Sequence, residues 1–204
     1  MTVEEIDLYW LKPQDLMNYL PADKTPGCGT KSWEEFSQLL VDKKIKAADC
    51  DKIDKAMAEA LDGALSVDIR LPESDPMQQK VPEPLLEYNS PDDSSPIIVT
   101  SNSVITHQIL GLVLNAAKVK AFVIPVDAQG LTYDNAVAGN FFSGMQVMKA
   151  ITGSGISAKT TSHRMIIGGL GKDVRSSIER ITKWSVEVGP VSCFELPMYL
   201  VANR

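Results

Sequence analysis

From Pro96 onward the sequence is dominated by short, almost unbroken apolar runs: "PIIVTS", "KAFVIPVD", "RMIIGG", "WSVEVGP" and "PMYLVA". A strand with one face in water alternates apolar and polar residues, whereas a run apolar at every position is covered on both faces. Between the runs lie amphipathic stretches of helical length, at about 103–117, 141–153 and 172–182. Strands that alternate with helices of that length are joined by crossovers, and crossovers make neighbouring strands parallel. Residues 97–204 are therefore predicted to form an α/β domain around a mainly parallel sheet, with the five apolar runs as its strands.

The first 70 residues have a different texture. "WEEFSQLLVDKK" and "CDKIDKAMAEALDGAL" place apolar residues at helical spacing, and in the second Ile53, Met57, Ala60, Leu61 and Ala64 share one stripe. Residues 1–70 read as a small helical domain, its stripe packing on a neighbour. Six of the twelve prolines fall in 71–96. Proline removes a donor and disfavours helix at the preceding residue, so this stretch reads as a linker or an extended wrapping segment.

Composition narrows the function classes. With 204 residues, 44% of them hydrophobic, the chain can bury a good-sized core. A formal net charge of −6 lacks the basic footprint of a nucleic-acid binder. Without a leader pattern or a long apolar run, the chain reads as soluble and cytoplasmic, with no membrane role. Three cysteines, Cys28, Cys50 and Cys193, do not make a secreted disulfide framework. His107, in a predicted helix, and His163, before a strand, have no partner at metal-ligand spacing and read as packed or capping histidines. No G-x-S-x-G elbow or other nucleophile context is present, so no catalytic residue is assigned.

In an open α/β sheet, ligands bind beyond the carboxyl ends of the strands. Four loops fall there. The first, "TSNSVITH", offers Thr100, Ser101, Asn102, Ser103 and Thr106. The second, "DAQGLTYDNAVAGNFF", offers Asp127, Gly130, Leu131, Thr132, Asn135, Ala136 and Gly139. Gly168, Gly169 and Gly171 come from "GGLGKD", and Gly189 from "GPVSC". Hydroxyls, amides and glycines with few charges suit a large, weakly charged ligand. "GGLG" reads either as a nest of backbone N–H groups for a phosphate or as a tight turn that needs glycine. The small-residue stretch 135–139 could approach a flat ligand closely or simply pack tightly on the sheet.

The order "PIIVTSNSVIT", "FVIPVDAQGLTYDNAVAGNFF", "HRMIIGG", "WSVEVGP" resembles the C-terminal corrinoid-binding domain of the large (gamma) subunit of the corrinoid iron-sulfur protein, the methyl carrier of the CO dehydrogenase/acetyl-CoA synthase system. It is also similar to the corrinoid domain of the mercury-methylation protein. The resemblance covers about the last hundred residues. It implies a flavodoxin-like or Rossmann-like doubly wound domain that holds cobalamin with its dimethylbenzimidazole tail off the cobalt. It also implies that Thr132 to Gly139 cap the lower face of the corrin, with Asn135 nearest the cobalt, where the related branches carry Cys or Thr.

The family's cluster domain begins with Leu-Pro and has four cysteines separated by two, four and sixteen residues. Counted from Leu20-Pro21, those positions here are Thr25, Cys28, Trp33 and Cys50. A hydroxyl and an indole do not replace thiolates, so a [4Fe–4S] cluster on one chain is not expected, and Cys28 and Cys50 stand as remnant ligands. Two cysteines from each of two chains would instead make a cluster-bridged homodimer. If the frame is kept, Cys28 and Cys50 lie close together and form a redox-sensitive pair. The family's barrel domain is replaced by the 26 residues of 71–96, which leaves a barrel-type methyltransferase or a corrinoid-protein subunit to be supplied as a partner. The expectation is a corrinoid-binding methyl carrier or accessory. Its alternatives are a degenerate paralogue without cofactor, acting as a binding or regulatory module, and a nucleotide binder using "GGLG".

Overall fold

The computed structural model of the chain describes residues 10–21, 26–69 and 78–203. Eight helices are present among them: α1 (Pro13–Met17), α2 (Trp33–Val41), α3 (Lys55–Ser66), α4 (Val104–Ala116), α5 (Tyr133–Ala138), α6 (Gly144–Ser154), α7 (Arg175–Thr182) and α8 (Leu196–Ala202). The strands are β1 (Leu86–Tyr88), β2 (Ile97–Ser101), β3 (Ala121–Val126), β4 (Arg164–Ile167) and β5 (Ser185–Val188). They form one sheet in the order β1-β3-β2-β4-β5. All pairs are parallel except β1 with β3.

The apolar runs explain the layering. Every residue of β2 and β3 is buried. Ile97, Val99, Phe122, Ile124, Met165 and Ile167 point to one face, where Val147 and Ile151 of α6 and Ile178 of α7 cover them. Ile98, Val123 and Ile166 point to the other, against Leu110 and Leu114 of α4 and Leu196 of α8. From β2 the chain crosses by α4 to β3 on one side, then returns past β2 to β4 and β5 on the other. The winding direction therefore reverses between β2 and β4, a topological switch point.

One sheet expectation needs correction. "PMYLVA" is not a strand but most of α8, with Pro197 in its first turn and Leu196, Pro197 and Met198 buried. Proline is well placed in the first turn of a helix, where its missing N–H is not needed. The fifth strand instead comes from the proline-rich stretch. Leu86 to Tyr88 pair antiparallel with Val123 to Ala121 at the sheet edge, and Lys80 makes an isolated bridge to Ser103. Edge strands tolerate nearby proline because only one side of the backbone is paired.

The N-terminal helices begin where capping chemistry allows. Ser32 Oγ accepts from Glu35 N at 3.2 Å, and Asp54 Oδ1 accepts from Ala56 N and Met57 N. The predicted stripe Ile53, Met57, Ala60, Leu61 and Ala64 is buried, together with Ile109 and Val113 of α4 and Phe194 and Met198 near the C-terminus. Gly63 lies so close to the end of α4 that a Cβ there would sit 2.5 Å from Ala117 Cα. The helical segment is thus packed directly on the α4/α8 layer.

Candidate functional site

The carboxyl end of the sheet is divided in two. Between β2 and β4, at the switch point, lies a cleft of about 120 Å³. Its walls come from Val99 and Thr100 of β2, Thr106 and Ile109 of α4, Tyr133 and Asp134 of α5, Ile167 and Gly168 after β4, and the loop Gly189 to Cys193. The lining is mainly apolar, with Thr100, Thr106, Tyr133 and Ser192 as its hydroxyl-bearing residues. The volume is smaller than the roughly 150 Å³ engineered apolar cavity that binds benzene, but the cleft opens to solvent, so an aromatic group could enter it by one edge. The volume falls well short of the roughly 300–1,000 Å³ of a complete cofactor pocket.

Tyr133, not among the predicted site residues, shapes this cleft. Its hydroxyl donates to the Gly168 carbonyl at 3.0 Å, and burial holds the phenol pKa well above its ordinary value. Its ring packs edge-to-face on buried Phe142, the centroids 5.0 Å apart. A Cβ at Gly168 would sit 2.8 Å from the Tyr133 ring, and one at Gly171 would overlap the phenol oxygen. A Cβ at Gly169 would press on Val191. These glycines make room for side chains. Two N–H groups of "GGLG" are engaged by protein carbonyls, Gly169 N with Pro190 O at 2.8 Å and Gly171 N with Gly168 O at 2.9 Å. The turn therefore has little left of a phosphate nest. Cys193, also on the wall, is half-buried; desolvation pushes its thiol pKa up to about 12, so it stays protonated at neutral pH.

The other half, over β2 and β3, is occupied by the end of the proline-rich stretch. Val81 N donates to Asn102 O at 2.9 Å and Val104 N to Gln79 O at 3.0 Å. Lys80 Nζ pairs with Asp127 Oδ1 at 3.2 Å. Gly130, with φ +81°, lies under Gln78 so closely that a Cβ would overlap its carbonyl. Asn102 is engaged three ways beneath this strap: Oδ1 accepts from Ala128 N and Gly130 N, each at 3.1 Å, and Nδ2 donates one hydrogen to Asp127 Oδ1 at 3.1 Å. The Asp127 carboxyl is held below its ordinary pKa, first by the Gln129 N–H and then by Lys80.

The predicted site residues therefore separate. Thr100, Thr106, Gly168 and Gly189 line the cleft. Asn102, Ser103, Asp127 and Gly130 lie under the strap. Gly169 and Gly171 belong to the turn beside Tyr133. On the small-residue segment, Thr132 and Gly139 cap α5, and exposed Asn135 donates from Nδ2 to Thr132 Oγ1 at 2.8 Å. Ala136 turns into the core, and Leu131 packs partly buried against the same cluster. Ser101 is buried, its carbonyl accepting from His107 Nε2 at 2.8 Å, while Ser101 Oγ and His107 Nδ1 are buried without a protein partner. Burial lowers the His107 pKa, so the ring is neutral at pH 7. The clue to Tyr133 was its position after "GL" in the second loop. Only the fold placed it against "GGLG".

These features define an α/β protein with a mostly parallel sheet and an apolar cleft at its switch point. The chain belongs to the CO dehydrogenase/acetyl-CoA synthase delta subunit family, whose sequence pattern matches residues 65–200. It is 31% identical over 128 residues to the acetyl-CoA decarbonylase/synthase complex subunit gamma of Methanopyrus kandleri, an alignment covering 62% of this chain and 28% of that protein. The Methanothermobacter thermautotrophicus protein of the same name gives the same identity and coverage. The corrinoid/iron-sulfur protein large subunit of Moorella thermoacetica is 27% identical over 124 residues, 61% of this chain and 28% of that protein. The chain thus spans little more than a quarter of the length of these relatives.

An iron-sulfur centre, named in the Moorella relative, does not fit the residues here. Cys28 and Cys50 are joined as a disulfide. Trp33 is buried in the N-terminal core, edge-on to Phe36 at 5.3 Å. Thr25 lies outside the described residues, but a hydroxyl is no thiolate. Cys193 is on the wall of the cleft. Two cysteines of one chain cannot complete the four-thiolate set that such a cluster takes. No helix among the described residues is long and apolar enough to cross a membrane.

Proposed function

We propose that the chain binds a corrinoid at the switch-point cleft of a flavodoxin-like sheet, as a methyl carrier or accessory in acetyl-CoA synthesis or cleavage. The observation that carries this reading is the cleft. Its apolar walls suit one edge of an aromatic group, such as the nucleotide base of the cofactor, while the rest of the base and the macrocycle would lie outside it, beside α5. Ile109, Leu170 and Tyr133 would contact the base, and Thr100 and Thr106 would hydrogen-bond its ribose or phosphate. When bound, the corrinoid supplies a cobalt centre at which methyl groups are exchanged. The chain's residues would bind, orient and exclude water, with no acid–base duty: His107 is buried and Cys193 stays protonated. Asn135, exposed on α5, would lie toward the macrocycle, with one amide hydrogen already given to Thr132. Family membership supports the acetyl-CoA system as the setting. The methyl donor and acceptor would then sit on partner subunits, a barrel-type methyltransferase among them.

A second reading has its own observation. The 78–81 strap covers Asn102, Asp127 and Gly130, the polar half of the expected slot. A strap fixed there favours a module without cofactor that acts through binding.

Mixing the purified chain with cobalamin and separating free from bound by gel filtration tests the two. Under the first reading, the protein peak carries a base-off corrinoid spectrum, and Thr106→Trp abolishes it while circular dichroism is unchanged. A protein peak with no corrinoid absorbance would overturn the first reading in favour of the second.

A further inference from the structure

The N-terminal helices carry a group of ligating side chains that the cleft does not use. Cys28 Sγ, Cys50 Sγ and a carboxylate oxygen of Asp51 all lie within 4.8 Å of one another. The two sulfurs are bonded, with the Cα atoms 5.3 Å apart across a separation of 22 residues. The frame that holds them is built. Asp62 of α3 accepts from Ala47 N at 2.7 Å and from Ala48 N at 3.1 Å, which fixes the 3₁₀ turn leading into Cys50. Cys50 is 3% exposed, Cys28 is half-buried and Asp51 is exposed, so the group is anchored from below and open from one side. Cys28 Sγ lies 3.9 Å from Asp51 Oδ1.

We propose that this group is a redox-gated site for a single divalent cation of the zinc type, in place of a cluster. In the oxidised state the sulfur lone pairs are tied up in the disulfide, and no thiolate is available. An external dithiol opens it: the Cys28–Cys50 bond breaks, the two sulfurs take up two electrons and two protons, and the dithiol closes to its own disulfide. The cation then displaces both thiol protons and is held by two thiolates and the Asp51 carboxylate. Two soft sulfurs and one carboxylate suit a tetrahedral zinc-type ion, the fourth position being taken by water. Hard cations such as magnesium, which take oxygen ligands, are not selected. Trp33, fixed in the core at a position where a cluster would need a thiolate, leaves the single-ion site as what two cysteines can build. This inference stands apart from the corrinoid reading, because its residues belong to a different layer.

The test uses cobalt(II) as a spectroscopic stand-in for zinc, with the full chain under anaerobic conditions. After reduction and removal of the dithiol, the protein should develop a thiolate-to-cobalt charge-transfer band that saturates at a single ion per chain and is bleached by zinc. The oxidised protein should give no band. Cys28→Ser should lose it. Asp51→Asn, an exposed change that cannot disturb the core, should keep the band but weaken cobalt affinity by about tenfold or more, at least what loss of an outer partner costs a metal site. No band in the reduced protein with native circular dichroism, or a band that persists in Cys28→Ser, would overturn the proposal. So would assembly of a four-iron cluster from ferrous iron and sulfide in the same reduced protein. Corrinoid binding that fails while the cobalt band forms would count against the cleft alone.

Discussion

The two halves of the sheet's carboxyl end are made from similar loops, yet one is open and the other closed. Over β2 and β4, the glycines accept the ring of Tyr133 and leave an apolar cleft beside it. Over β2 and β3, the backbone of residues 78–81 is laid onto Asn102 and Gly130 by main-chain hydrogen bonds and one exposed ion pair. Glycine, serine and asparagine in a loop therefore do not by themselves mean a vacant ligand site. The same residue types serve close approach by a ligand, by a side chain or by another stretch of the chain. The difference lies in what arrives from elsewhere in the sequence.

The largest effect that would separate the halves is expected from Gly130→Ala. It places a side chain at positive φ and drives a Cβ into the Gln78 carbonyl, a backbone group that can yield only if the strap lifts. Together these should cost about 3 kcal/mol in urea unfolding and expose residues 78–81 to limited proteolysis. Gly168→Ala presses only on the Tyr133 ring and should cost about 1–2 kcal/mol while narrowing the cleft. Equal losses at the two glycines would remove the distinction drawn between a backbone lid and a side-chain wall. Smaller again, Tyr133→Phe removes the hydrogen bond to Gly168 O and should lower stability by about 1 kcal/mol, with the proteolysis pattern of the strap unchanged.

Acid should discriminate the halves with the least energy. The folded pKa of Asp127 is depressed, so its stabilising contribution is present above the ordinary carboxylate value and is lost as pH falls through the folded one. Its side chain is 69% exposed, so solvent screening leaves the contribution at a fraction of about 1 kcal/mol. Amide protection at Val81 and Val104 should fall on acidification below about pH 4. Asp127→Asn should remove most of that pH dependence, and Gly171 N beside Tyr133 should keep its protection in both proteins.

Much of the fold was legible before the fold was known. Continuous apolar runs at 97–101 and 121–126, rich in Val and Ile and alternating with helical stretches at 103–117 and 141–153, fitted strands covered on both sides and joined by crossovers. "PMYLVA" was misread because a short apolar run does not distinguish strand from buried helix, and Pro197 fits the first turn of one and the edge of the other. Of the expected site residues, four come together. Thr100, Thr106, Gly168 and Gly189 line the cleft because the strand ends that carry them converge at the switch point. Tyr133 lies within the expected 132–139 cap, but its contact with Gly168, 35 residues away, has no local signature in the sequence.

The sequence alone determined the periodicity of strands and helices, the parallel sheet they require, and the number of thiols, which bounds the metal chemistry of the N-terminal layer. These are local or countable properties, written in neighbouring residues. Tertiary structure alone decided that residues 86–88 of the proline-rich stretch pair antiparallel at the sheet edge, that "GGLG" admits an aromatic ring, and that the expected Cys28–Cys50 pair is joined as a disulfide beside Asp51. Each depends on which distant segments share a surface, and that is set by burying the two faces of the sheet together with the α3 stripe.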